Sequence, residues 1–250
     1  MARKPIIRPR MIIAPVGRGR IAKTTLANAL YEEMRRRNEF LTAWDLDKAP
    51  SLSYHIKDAK LPLSSAPSDR KLALQTAINE TVLGAQSTIV DMGADEILFH
   101  ELNDMLPGMR DILANEGVEV VAIHVIGPEP LKDMAYFNAT KDTGVFTRQI
   151  VVFSYCVVPR ERDPDKAFGR ARRLVSGLDF PTFPFRRLPP EVMSVYHGEA
   201  DGKPKTFEEV DKWLMDARDF WNRAVLTSFI GSSIKPMVDE ILGETLPEAA

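Results

Sequence analysis

The residues best suited to chemistry in this sequence are Gly17-Arg18-Gly19-Arg20-Ile21-Ala22-Lys23-Thr24. They match the pattern G-x-x-x-x-G-K-[ST] at every fixed position except the second glycine, where Ala22 stands. Such a loop suits phosphate. Consecutive backbone N–H groups and a helix N-terminus converge on the anion, a lysine neutralises it, and a hydroxyl ligates magnesium. Lys23 and Thr24 are the candidates for the two side-chain roles. Asp45, Asp47 and Asp91 follow two further apolar runs, Phe40 to Trp44 and Ser87 to Val90, and could supply carboxylates to the same site. Taken alone, Asp45 and Asp47 read as polar residues that end a strand, and it is the upstream loop that favours a functional role for them.

The elements that must position these groups can be read from periodicity. Ile12 to Val16 is a short apolar run, and Thr24 to Arg37 spaces Leu26, Leu30 and Met34 as a helix. Phe40 to Trp44 predicts a strand. The polar stretch 48–69 reads as mobile loop with some helix, since Leu61-Pro62 and Ala66-Pro67 disfavour a continuous one. Lys71 to Ala85 predicts a helix, Ser87 to Val90 a strand, Glu101 to Asn115 a helix, Val118 to Val125 a strand, and Gln149 to Val158 a strand stopped by Pro159. Thr206-Phe207-Glu208-Glu209 is a capping box, after which Phe207, Val210, Leu214, Ala217, Trp221 and Val225 keep helical spacing. The aromatic stripe Phe207, Trp213, Phe220, Trp221 is expected to pack in the core. Strands alternating with helices predict an α/β fold, a mostly parallel twisted sheet with helices on both faces and ligands beyond the carboxyl ends of the strands. The expected organisation is one domain over 1–250, with an N-terminal extension at 1–9, a C-terminal packing helix at 206–230 and a flexible tail at 243–250.

Composition narrows the class. With 250 residues the chain can bury a sizeable core. Its one cysteine, Cys156, excludes an internal disulfide or a thiolate-rich metal cluster and favours a reducing cytoplasm. No apolar run is long enough to span a bilayer, and the basic start lacks a signal-peptide core, so a cytoplasmic location without a membrane role is expected. His55, His100, His124 and His197 show no paired metal-ligand spacing. The formal charge of -2 conceals segregation: residues 148–187 hold nine Lys/Arg against four acids, and the tail is acidic. Arg160, Arg162, Arg170, Arg172 and Arg173 in that stretch read either as a solvated surface or as a nucleic-acid contact.

The segment GRGRIAKTT, Gly17 to Thr25, resembles the deviant Walker A loop of the ParA/MinD family of partition and positioning ATPases, typically GKGGVGKTT. Arg18 falls where the family has its signature lysine, Gly19 matches, Arg20 and Ala22 replace glycines, and Lys23, Thr24 and Thr25 match. Downstream, AWDLDKAPSLS, STIVDMGAD, VAIHVIGPEPLKD and QIVVFSYCVVPRE resemble later family segments in order, over residues 10–190. The resemblance implies a P-loop NTPase fold that binds ATP/ADP with Mg2+. Residues 17–25 (Gly17, Arg18, Gly19, Arg20, Ile21, Ala22, Lys23, Thr24, Thr25) would cradle the nucleotide, with Ser154 at the place of a base-contacting Asn. Thr24, Asp91 and Asp47 would hold the metal, and Asp45 would support the switch segment. Lys23, Asp47 and Arg18 would be the catalytic groups, Arg18 by crossing to a partner subunit's nucleotide. It further implies an ATP-dependent homodimer that binds DNA nonspecifically through the arginines above, together with an adaptor or cargo protein, in plasmid partition or conjugative transfer. The alternatives are a nucleotide binder without hydrolysis, a nucleotide-independent scaffold, and a small-molecule ATP-dependent enzyme.

Overall fold

The computed structural model describes residues 9–84, 86–93, 108–199 and 201–244. Most of the expected N-terminal extension, residues 245–250 of the expected tail, the first part of the helix expected from Glu101, and His100 lie outside the described residues. The elements run β1 (Arg10–Val16), α1 (Lys23–Arg36), β2 (Leu41–Asp45), α2 (Leu52–His55), α3 (Pro67–Leu83), β3 (Ser87–Asp91), α4 (Met109–Asn115), β4 (Val118–Ile126), α5 (Pro130–Thr140) and β5 (Arg148–Ser154). After these come α6 (Pro164–Val175), β6 (Thr182–Phe185), α7 (Pro190–Tyr196), α8 (Phe207–Asp216), α9 (Phe220–Phe229) and α10 (Lys235–Leu242), the last two joined by a π turn at Ile230–Ile234.

The strands form one parallel sheet in the order β2-β3-β1-β4-β5-β6. β1 and β4 pair in register from Arg10 with Val118 to Val16 with His124. Their near-continuous apolar runs are what a sheet covered on both faces requires. Ile13, Val121, Ile123 and Ile150 face α1 and the C-terminal helices, whereas Ile12, Ala14, Val16, Val120 and Ala122 face α3 and α4. A third cluster around Phe137, Phe153 and Phe168 lies under α5 and α6. Connections from β1 lead toward β3 and β2, and those from β4 toward β5 and β6. The two directions part at the carboxyl ends of β1 and β4, at residues 17–22 and 127–129, the place where open α/β sheets form their ligand crevice. Among the described residues no helix is long and apolar enough to cross a membrane.

Several boundaries differ from the sequence expectation. α3 begins at Pro67, because proline at the first helical position lacks only an N–H that has no intrahelical acceptor. β5 ends at Ser154 and not Val158, giving way to a tight turn at Tyr155–Val157. The helix expected over 206–230 is two helices. Arg218 turns with φ 56°, and the Asp219 side chain accepts from the Asn222 N–H to start α9 afresh. That break rotates the aromatic stripe out of phase. Phe207 is buried, but Phe220 and Trp221 are 66% and 78% exposed and Trp213 is partly exposed, so the expected core role fails for three of the four.

The C-terminal helices are fastened to α1 by Glu32, whose carboxylate accepts from the N–H groups of Phe207 (2.7 Å) and Glu208 (3.0 Å) at the start of α8. Beside it lies a cleft of about 710 Å3 between α1 and the C-terminal helices. Burial pushes the Glu32 carboxyl up to about 7, against those N–H groups and the Asn28 amide, which favour the anion. Because this lies above the unfolded value of about 4.3, the stability that Glu32 contributes is complete below about 4.3 and is lost as pH rises through about 7. Thermal melts should therefore show the advantage of wild type over Glu32→Gln shrinking between pH 5 and pH 8. A gap that is constant or widens with pH would contradict this.

Candidate functional site

The loop that leaves β1 is shaped by contact from below. A Cβ on Gly17 would lie 2.5 Å from the Val125 carbonyl oxygen and 2.7 Å from the Ile21 side chain, so the chain passes only as glycine. Arg20 (φ 62°) and Ala22 (φ 65°) both take the left-handed conformation, which costs an L-residue about 1–2 kcal/mol. The two side chains that replace glycines thus keep backbone conformations that glycine adopts freely, at a cost in stability. Ala22 caps α1, and the N–H groups of the first helical turn have no intrahelical acceptor. Lys23, the first helical residue, is buried, and its Nζ donates to the carbonyls of Gly17 and Arg18, both at 2.7 Å.

Two acid-bearing strand ends meet this loop. Thr24 Oγ1 donates to Asp91 Oδ2 at 2.5 Å, and the Gly93 N–H donates to Asp91 Oδ1 at 3.1 Å. Asp45, fully buried, accepts from the N–H groups of Asp47 (3.3 Å) and Ser53 (3.0 Å) and so orders the segment after β2. The Asp47 carboxylate lies against Gly93, where a Cβ would fall 2.3 Å from it. Burial pushes the Asp45 carboxyl up to about 6, opposed by the Ser53 N–H and reinforced by the charge of Asp91. Asp91 is also shifted upward by burial, opposed by Thr24, Gly93 and Lys23. Among the described residues no group of three or more His, Cys, Asp or Glu side chains could hold a metal by itself. Magnesium takes few protein ligands beside phosphate oxygens, so Thr24, Asp91 and Asp47 suit a shared site better than a closed cage.

The remaining candidates fall in different places. Arg18 reaches toward α5, its Nε donating to Asp133 (2.8 Å) and its Nη2 to Glu129 (2.7 Å). Ser154 lies under the loop. It is fully buried and its hydroxyl donates to the Ile21 carbonyl at 2.8 Å, so it supports the loop from beneath. A cavity of about 190 Å3 does adjoin the loop, lined by Ala22, Thr25, Val157, Arg186 and Met193 among others. Arg160, Arg162, Arg170 and Arg173 are exposed. Arg172 folds back onto Asp165 (3.1 Å) and Tyr155, 5.6 Å from the centre of the Phe153 ring. His55 stacks on Tyr196, and His124 bonds Gln149, which gives both a packing role.

Sequence reasoning missed Glu129, Asp133 and Arg70. Pro130 with Asp133 three residues on is a helix-start signal, but nothing local pairs it with residue 18. Arg70 is buried and spans the ends of β2 and β3, donating to the carbonyls of Leu46 (2.6 Å) and Met92 (3.5 Å).

No protein-family model matches the chain, and no curated protein matches it. Solved structures similar to it include chloroplast FtsY of Physcomitrella patens, at 17% identity and TM-score 0.47, covering 71% of this chain and 58% of that one. Cell division protein FtsY of Thermotoga maritima matches at 14% identity and TM-score 0.49, covering 73% of this chain and 63% of that one. The signal recognition particle receptor FtsY of Elizabethkingia anophelis, in complex with GDP, matches at 14% identity and TM-score 0.46, covering 73% and 57%. The chain spans less than two thirds of each of these proteins, and likeness at this level transfers no activity. The ParA/MinD resemblance rests on the residues quoted for it alone.

The loop geometry makes opposite substitutions behave oppositely. Arg20→Gly should raise unfolding stability by about 1 kcal/mol by relieving a left-handed L-residue, whereas Gly17→Ala should lower it by about 2 kcal/mol or more through a backbone clash. Denaturant unfolding checks both, and a destabilised Arg20→Gly would contradict the strain assigned to residue 20.

Proposed function

We propose that the chain binds a nucleoside triphosphate with magnesium at the loop between β1 and α1 and hydrolyses it, as a ParA-like ATPase. The observation that supports this best is the buried Lys23 ammonium held over the loop carbonyls, beside a Thr24 hydroxyl already bonded to Asp91. The residues fit the ligands. Gly17 leaves the backbone bare, the start of α1 offers N–H groups, and Thr24 with Asp91 and Asp47 supplies oxygen donors.

Phosphoryl transfer asks for positioning and charge neutralisation more than covalent chemistry. Bound magnesium supplies positive charge to the phosphate oxygens. Lys23 exchanges loop carbonyls for phosphate oxygens, so its charge is never left unpaired. Thr24, Asp91 and Asp47 would hold the cation. Asp47 also orients the attacking water, kept in place by its packing on Gly93, while Asp45 holds the segment that carries it. The choice of ATP rests on the likeness of Gly17 to Thr25 to the ParA/MinD loop.

The proposal extends to an ATP-dependent homodimer that binds DNA without sequence preference and works with an adaptor or cargo protein. Its support is the surface of α6. Phe168, Ala171 and Val175 face inward, so Arg170 and Arg173, with Lys166, project from the opposite side, and Arg160 and Arg162 are exposed just before the helix. Arg172 is engaged by Asp165 and Tyr155 and contributes less.

Calorimetric titration should give magnesium-dependent ATP binding that Lys23→Ala weakens by about tenfold or more, the worth of one charge-assisted hydrogen bond. Asp47→Ala should bind within a few-fold of wild type yet release no phosphate. Absence of binding at millimolar ATP, or unchanged turnover in Asp47→Ala, would overturn the respective assignment. With ATP present, affinity for two unrelated duplexes should be similar and should fall steeply with salt, and Arg170→Glu/Arg173→Glu should flatten the log–log slope by about 0.9 for each phosphate no longer neutralised. A double variant that binds like wild type would remove α6 from the interface.

A further inference from the structure

We infer that Asp133 is a positioning residue for the phosphate loop: through Arg18 it fixes the Gly17–Gly19 backbone whose carbonyls hold Lys23, and so presets the site before nucleotide arrives. The affinity part of this inference rests on the nucleotide reading, whereas the restraint on the loop does not.

The geometry runs in one chain of contacts. Asp133 is 3% exposed and lies in the first turn of α5, at the crevice where the sheet's two directions part. Its Oδ1 accepts from Arg18 Nε at 2.8 Å, and its Oδ2 accepts from the Glu129 N–H at 2.8 Å. One carboxylate thus anchors both the start of α5 and the loop. The fit there is tight, for a Cβ on Gly127 would stand 2.7 Å from the Ile21 side chain and 2.9 Å from Asp133 Oδ2. Arg18 also pairs with Glu129 at 2.7 Å, but Glu129 is exposed and shares its other oxygen with Lys132 at 2.7 Å. The buried partner is therefore the one that sets position, and the exposed pair adds little.

Why the loop needs such a tether follows from its sequence. Arg18 stands between two glycines, the residues with most backbone freedom to lose on ordering. Its carbonyl must point at Lys23 Nζ, and its side chain is a long lever on that peptide. Charge-assisted bonds to a buried carboxylate hold the lever, so ordering of the loop is complete before phosphate binds. Asp133 stays in place when phosphate arrives, because its second oxygen is committed to α5.

The test uses the full chain in two arms, with wild type, Asp133→Asn, Arg18→Gln, the double variant and Glu129→Gln. Without nucleotide, amide hydrogen exchange in residues 17–22 should rise about tenfold in Asp133→Asn and Arg18→Gln while exchange in the sheet is unchanged. With magnesium, ATP affinity should fall about tenfold in each single variant and no further in the double, while Glu129→Gln stays within about twofold. Wild-type exchange and wild-type affinity in Asp133→Asn would overturn the inference. So would single effects that add fully in the double, or tighter ATP binding in Asp133→Asn, which would make Asp133 a competitor for Arg18. Should Asp133→Asn fail to fold, Arg18→Gln decides both arms, since it leaves the cap of α5 intact. Should wild type bind no nucleotide, the proposed function falls, and the exchange arm alone decides whether Asp133 restrains the loop.

Discussion

The ammonium of Lys23 is buried, and a buried cation must be solvated by the protein or cost several kcal/mol. The carbonyls of Gly17 and Arg18 provide that solvation, which obliges residues 17–22 to curl back over the first turn of α1. Much else in the crevice answers to this curl. Gly17 must lack a side chain to pass the Val125 carbonyl, and Arg20 and Ala22 must accept left-handed conformations. The Ile21 carbonyl, turned downward, takes the Ser154 hydroxyl, and the Arg18 side chain, turned outward, finds Asp133. A loop with two L-residues under strain persists because these contacts over-determine it.

The sheet supplies the opposite charge. Parallel strands direct their carboxyl ends to one edge, so β2 and β3 deliver Asp45, Asp47 and Asp91 beside the loop that follows β1. Burial discourages ionisation of Asp45 and Asp91, and donated hydrogen bonds from Ser53, Thr24 and Gly93 counter it. Arg70, crossing beneath from α3 to the carbonyls of Leu46 and Met92, ties the two acid-bearing ends together. Lys23, Thr24, Asp45 and Asp91 are therefore already bonded, while the first N–H groups of α1 have no intrahelical acceptor. A polyanion with a divalent cation would exchange partners with these groups and would not have to enter an apolar hole.

What could be read from sequence was local. The phosphate-loop spacing lies within eight residues, and the alternation of apolar strands with 3.6-period helices pointed to the parallel sheet and its covered faces. What could not be read was tertiary. Arg18 and Asp133 are 115 positions apart, and nothing in either segment announces the other. The resemblance puts Ser154 at the place of a base-contacting Asn, and only the folded strand shows its hydroxyl under the loop, bonded to the Ile21 carbonyl. Between 206 and 230 the helical spacing of Phe207 to Val225 runs on unbroken, whereas the turn at Arg218 and the Asp219 cap restart the helix and leave Phe220 and Trp221 at the surface.

The proposed triphosphate site is the loop between β1 and α1, and not the larger cleft beside Glu32. Amide chemical shifts of the isotope-labelled chain, followed as magnesium and a slowly hydrolysed ATP analogue are added, test it most directly. The largest changes are expected on the N–H groups of residues 17–25, with smaller ones at Asp47 and Asp91, and Lys23→Ala should move their midpoint to about tenfold higher analogue concentration or beyond. Changes centred on Glu32, Arg35 and Arg223 in the cleft, or none anywhere at millimolar analogue, would contradict it.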